Sequence, residues 1–179
     1  MSLKNFKQSK FGGIVFWLAD LTLNIAVIFG LVFIIQTWLV APFDVYGPSM
    51  CDTLNNLDGK CQMEYGEKII LNEIPYMYSN PKRGDIVVFK PFKGSEKYFI
   101  KRVIGLPNET VTIKDGEVYI TKDGNTVKLE ENYLNDKNKG KTQTFFADMN
   151  TFNVPEDKYF LMGDNRMAST DGRSCFAAS

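Results

Sequence analysis

The sequence predicts a mainly β, antiparallel domain preceded by one N-terminal transmembrane helix, and two contrasting patterns predict it. Residues 21–41 read LTLNIAVIFGLVFIIQTWLVA without a charged side chain, matching the ~20 apolar residues a helix needs to cross hydrocarbon. Beyond that stretch the chain breaks into short β-prone pieces separated by turn residues, the pattern of an antiparallel β domain. With 179 residues, 44% of them hydrophobic, the chain is long enough for one modest core plus an anchor. Its formal net charge is zero, and phosphate binding needs a surplus of Lys and Arg on one surface, so nucleic acid is excluded as a partner.

Taken in order, residues 1–13 form a basic tail and residues 14–41 the membrane helix. Lys4, Lys7 and Lys10 precede the apolar stretch, and no Lys or Arg follows it until Lys60. The positive-inside rule therefore places the tail in the cytoplasm and everything from about Pro42 outside. Trp17 and Trp38 suit the two interfaces, where an apolar ring and a polar N–H are both satisfied. Asp20 sits at the edge of the span. A removable signal peptide is the alternative for so apolar an N-terminus, but it would carry a shorter apolar region and a small-residue cleavage site. Here Pro42-Phe43-Asp44 follows instead.

In the outer region, 42–179, strands are expected at 67–72, 85–89, 98–104, 110–113 and 117–120. Lys82-Arg83-Gly84-Asp85, Lys114-Asp115-Gly116-Glu117 and Lys122-Asp123-Gly124-Asn125 are turn sequences, the last two placed where hairpins reverse. Residues 129–144 are rich in Asn and Lys with few apolar positions, the composition of an exposed insertion or mobile loop. No helical apolar period of useful length follows the membrane span.

The chain contains no histidine, and this narrows its chemistry. The commonest zinc ligand is missing, and Cys51, Cys61 and Cys175 lack the CxxC spacing of structural zinc sites, so no metal site is expected. Ser49, in Tyr46-Gly47-Pro48-Ser49-Met50 just outside the membrane stretch, is a candidate nucleophile. A serine hydroxyl needs a base to remove its proton, and without histidine that base has to be a lysine. Lys101, in Phe99-Ile100-Lys101-Arg102-Val103-Ile104-Gly105, is the candidate. Alternate residues of a strand share a face, so Lys101 lies beside Phe99 and Val103 while Arg102 points the other way. An apolar setting would disfavour its ammonium form and lower its pKa. The same residues also read as a surface strand with its charges in water, and Gly-Pro-Ser is an ordinary turn composition.

Four blocks occur in a definite order: Gly47-Pro48-Ser49-Met50, Arg83-Gly84-Asp85-Ile86-Val87, Lys101 through Pro107, and Gly163-Asp164-Asn165-Arg166 followed by Ser169, Asp171 and Arg173. Their sequence resembles the type I signal peptidase family of bacteria. The resemblance implies an antiparallel β catalytic domain of signal-peptidase type over 42–179, with an inserted subregion at about 107–157. It implies Ser49 as nucleophile, Lys101 as general base, Ser169 as the hydroxyl orienting the lysine amine, and Asp171 with Arg173 as a bracing ion pair. Asp164 and Arg166 look structural. The oxyanion hole would use the Ser49 backbone N–H, and at the position two residues earlier, where some members of that family carry serine, this chain has Gly47. Phe43, Val45, Met50, Phe99 and Ile100 match positions lining substrate pockets, although each equally reads as core or membrane-facing surface.

The activity implied is hydrolysis of exported precursors after Ala-x-Ala-type signals through an acyl-enzyme, without a cofactor, the substrate docking as an added strand. The implied location is the plasma membrane. The lipid bilayer and the protein-export channel are the further partners. Two features depart from the family pattern. Cys51 and Cys61 flank a short loop and can form a disulfide in an oxidising exterior, leaving Cys175 unpaired. Ser179 also follows closely on Arg173, where members of that family continue into further strand and tail. Two rival readings remain. Self-cleaving repressors of the DNA-damage response also use Ser and Lys, but carry a DNA-binding module where this chain has its apolar helix. A membrane-tethered β domain that binds peptides without cleaving them is the other.

Overall fold

A computed structural model describes residues 10–38, 40–62, 66–72 and 74–175. Lys4, Lys7 and the side chains of Lys10, Trp38 and Cys175 lie outside the described residues. Helix α1 runs Lys10–Trp38, and its section Gly12–Gln36 is long and apolar enough to cross a membrane. Those 25 residues span about 37 Å at 1.5 Å per residue, against roughly 30 Å of hydrocarbon. Apolar side chains are exposed around the whole helix, among them Trp17, Leu23, Phe29 and Phe33, as expected of a helix meant for lipid. The helix begins earlier than expected and stops before Ala41, because Val40–Val45 enters a strand and Pro42 has no N–H to continue a helical ladder. Asp20 consequently lies inside the helix instead of at the edge of the span, and Asn24 donates to its backbone carbonyl at 2.8 Å.

The described residues fall into two compact units, one of α1 with Ile70–Met77 and the other of Pro42–Ile69 with the chain from Tyr78 onward. Strand β1 (Val40–Val45) forms a two-stranded sheet with β4 (Glu67–Asn72), and β2 (Asn56–Leu57) forms another with β3 (Lys60–Cys61). A turn of 3-10 helix covers Ile74–Met77. Strands β5 (Ile86–Phe89), β6 (Phe99–Gly105) and β11 (Phe160–Met162) make a sheet in the order β11-β6-β5. Strands β7 (Thr110–Lys114), β8 (Glu117–Lys122), β9 (Asn125–Lys128) and β10 (Thr151–Asn153) make a sheet in the order β10-β7-β8-β9. A single helical turn, α2, covers Gly172–Cys175. Pairing is antiparallel throughout the two larger sheets.

Turn chemistry sets the hairpins. Lys114 pairs with Glu117 and Lys122 with Asn125, and each two-residue loop is an Asp-Gly with both residues at positive φ: 52° and 81° for Asp115-Gly116, 50° and 78° for Asp123-Gly124. That backbone matches the right-handed twist of the flanking strands. With register fixed, β7 turns Val111 and Ile113 to one face opposite Ile120 and Val118. There they meet Ile104, Phe152, Val154, Phe160 and Met162 in the core, with the Phe152 and Phe160 rings 4.8 Å apart. The core therefore joins the β7–β8 sheet to β6 and β11, and β6 carries Lys101.

Residues 129–144, expected to form an exposed insertion or mobile loop, are exposed at most positions and form no strand or helix, but a few side chains fasten the segment. Leu134, Glu131, Asn138 and Thr142 are all buried. Apolar content alone did not show this fastening, because three polar side chains, Glu131, Asn138 and Thr142, go inside with hydrogen bonds made.

Candidate active site

Ser49 sits on a tight turn after β1. Cys51 N donates to Pro48 O at 3.0 Å, and Thr53 N and Leu54 N donate to Met50 O at 2.8 and 2.7 Å. Met50 is 1% exposed and roots the turn in the interior. Asn55 Nδ2 donates to Val45 O at 2.6 Å, and a disulfide joins Cys51 to Cys61 in β3. Asn165 clamps the peptide at Ser49: its N–H donates to Ser49 O and its side chain to Pro48 O, both at 3.0 Å. Glycine at position 47 has a backbone reason. Its φ is +88°, a conformation that L side chains rarely adopt, so a serine hydroxyl at this position would require a strained backbone.

Strand β6 delivers Lys101 to this turn. Its Nζ donates to Ser49 Oγ at 2.7 Å and to Ile100 O at 2.9 Å, and stands 5.6 Å from the centre of the Phe99 ring. Lys101 is only 5% exposed. Burial holds its pKa below the ordinary lysine value, while the carboxylates of Asp171 and Asp164 act in the opposite direction. Arg102 points to the other face, but not into water. Its guanidinium meets Asp164 through Nε at 2.8 Å and Nη2 at 2.6 Å, donates to Gly84 O at 2.7 Å and lies 4.0 Å from the Tyr133 ring centre. The reading of β6 as a surface strand with solvated charges is thus overturned: two cations are buried on opposite faces, one beside a serine and one in an ion pair.

The segment after β11 closes the site. Asp171 and Arg173 form a bidentate pair at 2.8 Å on both contacts, both residues being buried. Asp164 pairs with Arg102, whereas Arg166 pairs with Glu131 and donates to Thr142 Oγ1 at 2.7 Å. Ser169 Oγ is buried without a hydrogen-bond partner among the described residues, so the bond to Lys101 expected of it is not made in this arrangement. It is packed tightly against Gly163. A Cβ there would overlap Ser169 Oγ and Ser49 O. Gly163→Ala is accordingly expected to push the serine turn and the Ser169 loop apart. The expected result is a loss of at least about 100-fold in kcat with displaced geometry and a cost of roughly 1–3 kcal/mol from overpacking, read by cleavage kinetics and a thermal melt.

A cleft of about 410 Å³ opens on Ser49 and Lys101. Phe43, Val45, Phe99 and Ile100 line it, joined by Tyr46, Ile69, Val88 and Tyr98. Met50 does not line it, being buried beneath the turn. Among the described residues no group of three or more His, Cys, Asp or Glu side chains could hold a metal ion. Sequence reasoning missed the clamp by Asn165, although the residue lies inside the Gly163–Arg166 block, and gave no role to Asp52, Glu131 or Asn138, which carry no motif signal.

Chemically, a buried amine 2.7 Å from a hydroxyl at the head of an apolar cleft suits nucleophilic attack by serine. Residues 18–178 match the family described as Signal peptidase, peptidase S26. The chain is 37% identical to the signal peptidase I of Bacillus amyloliquefaciens over 97% of its own length and 85% of that protein. It is 33% identical to signal peptidase IB of Staphylococcus aureus over 88% of its length and 80% of that protein. A signal peptidase I of known crystal structure from Enterococcus faecalis V583 shares 35% identity, covering 53% of this chain and 86% of that one with a TM-score of 0.39.

Proposed function

The chain belongs to the signal peptidase family, peptidase S26, and is a serine endopeptidase; on that premise we propose that it removes signal peptides from exported precursors by a Ser49–Lys101 acyl-enzyme mechanism. The observation that carries the mechanism is the 2.7 Å approach of Lys101 Nζ to Ser49 Oγ. Burial lowers the lysine's pKa, which makes the neutral, proton-accepting amine more accessible than in an ordinary lysine.

In the first half-reaction the Nζ lone pair takes the Ser49 proton while Oγ attacks the scissile carbonyl carbon. The Ser49 backbone N–H stabilises the oxyanion, and with Gly47 offering no hydroxyl any second donor has to come from backbone or from elsewhere in the cleft. The ammonium then protonates the leaving amine, and the C–N bond breaks to leave an ester on Ser49. In the second half-reaction Lys101 takes a proton from water, whose oxygen attacks the ester carbonyl, and returns it to Ser49 Oγ. Ser169, whose buried hydroxyl packs with the Ser49 carbonyl around Gly163, is proposed to orient the amine once its hydroxyl turns toward Lys101. No cofactor takes part.

The precursor docks as an extended strand in the cleft, a mode that sends alternate side chains into pockets. Pockets formed by Phe43, Val45, Phe99 and Ile100 accept small side chains one and three residues before the cut, giving Ala-x-Ala preference. Helix α1 anchors the protein in the plasma membrane, with the basic tail cytoplasmic and the β region outside, where it meets precursors emerging from the export channel. The test is incubation of the full-length protein in lipid with a precursor bearing an Ala-x-Ala signal. Cleavage after the second alanine by wild type and none by Ser49→Ala is the expected result. An inert wild type of verified fold would instead leave a tethered peptide-binding domain.

A further inference from the structure

The segment between β9 and β10 reaches the back of the nucleophile turn, and we infer that Asn138 is a positioning residue for the Ser49–Lys101 reaction, acting through Asp52. This inference rests on the reading of Ser49 as nucleophile. Asp52 lies on the Ser49 turn. Both its carboxylate oxygens accept from Asn138 Nδ2, at 2.8 and 3.0 Å, and one also accepts from Asn135 N at 2.9 Å. The other end of the same amide, Asn138 Oδ1, accepts from Met167 N at 3.2 Å. Met167 lies between Asn165, which holds the Ser49 carbonyl, and Ser169. One side-chain amide thereby joins the turn that carries the nucleophile to the loop that packs beside it.

The geometry suits a spacer. Asn138 is 3% exposed, so water does not compete for its bonds, and it is fixed before substrate arrives. Asn138 N and Lys139 N both donate to Asn135 O, at 3.0 and 2.9 Å, and Lys137 N donates to Asn135 Oδ1 at 2.9 Å. The residue type follows from the two neighbours, since one side must donate to a carboxylate and the other must accept from a backbone N–H. Aspartate would face Asp52 with a second carboxylate, and leucine would leave Met167 N without its acceptor and Asp52 with only the Asn135 N–H. Asn138 touches neither Ser49 nor Lys101, so its effect on the reaction runs through the placement of the two loops.

A purely structural role and a positioning role predict different kinetics. In the first, the folded fraction of a variant turns over normally; in the second, kcat falls in folded protein while KM holds. The experiment uses the full chain in lipid with the Ala-x-Ala precursor and compares wild type, Ser49→Ala, Asp52→Asn, Asn138→Asp and the exchange Asp52→Asn/Asn138→Asp. Misplacing the turn is expected to lower kcat about tenfold in Asn138→Asp and about threefold in Asp52→Asn, with KM within about twofold. The exchange puts the amide on 52 and the carboxylate on 138, remakes their bond and keeps an acceptor for Met167 N. Its kcat is expected within about threefold of wild type. Wild-type kcat in Asp52→Asn and in folded Asn138→Asp overturns the inference, as does a loss that the folded exchange variant does not recover. If Asn138→Asp does not fold, Asp52→Asn and the exchange decide by the same criteria. Cleavage by Ser49→Ala, or none by wild type, overturns the reading of Ser49 instead.

Discussion

Lys101→Met is expected to lower cleavage by on the order of 10⁶-fold, as loss of the nucleophile or the base of such a unit does, while leaving the protein about as stable as wild type at neutral pH. Methionine keeps the apolar stem of the side chain packed and removes only the amine. The stability expectation follows from the direction of the pKa shift. Burial holds the folded pKa below the ordinary lysine value, so between the two values the unfolded chain binds more protons than the folded one, and stability rises with pH across that window. Below the folded pKa the whole penalty of burying an ammonium is present, and the methionine variant escapes it. Against this gain stands the loss of the bonds to Ser49 Oγ and Ile100 O, each of about 1 kcal/mol. Lys101→Arg is expected to be equally inactive, because guanidinium does not lose its proton in this range. In wild type, log kcat/KM should rise with unit slope on the acid side and level off above the folded pKa of Lys101, below the ordinary lysine value. An acid limb that persists in the methionine variant would remove Lys101 from the role of base.

How much of this arrangement is legible in the chain depends on the range of the interactions. Local rules carried the Asp-Gly hairpins, since two residues at positive φ determine each reversal, and they carried the two faces of β6, since Lys101 and Arg102 are neighbours on a pleated strand. Absence of histidine directed attention from Ser49 to Lys101, and the structure puts them in contact. Three-residue strands such as β10 and β11 are too short to show a period. The family resemblance leaves Met50 as either a pocket or a core residue, and the turn directs it into the core. The least legible region was 129–144. Its contribution comes from Glu131, Asn138 and Thr142, polar residues whose partners lie 24 to 86 positions away. A composition count reads such residues as solvated because it has no access to what they meet.

Asp164→Ala is expected to be among the most destabilising single changes in the protein, at about 3–5 kcal/mol, the cost of leaving a buried charge without its partner. Asp164 is 0% exposed. It holds Arg102 through two contacts and accepts from Thr53 Oγ1 at 2.5 Å, so the same carboxylate supports the strand that carries Lys101 and the turn that carries Ser49. Exposure decides the magnitude. Lys68 and Asp44 make an ion pair of similar length, 2.9 Å, but their side chains are 85% and 42% exposed, and Lys68→Ala is expected to leave the melting temperature essentially unchanged. Circular-dichroism melts of the full chain in detergent would show the contrast. Removing Asp164 also withdraws one of the two carboxylates that oppose the lowering of the Lys101 pKa, so the acid limb of the variant's pH profile should move to lower pH. Arg102→Met/Asp164→Leu separates the causes of the stability loss. Recovery of most of it in the double variant assigns the cost to the unpaired guanidinium, because apolar replacement of a whole buried pair is often neutral. No recovery assigns it to the bonds with Thr53 and Gly84, and so to the fastening of the Ser49 turn.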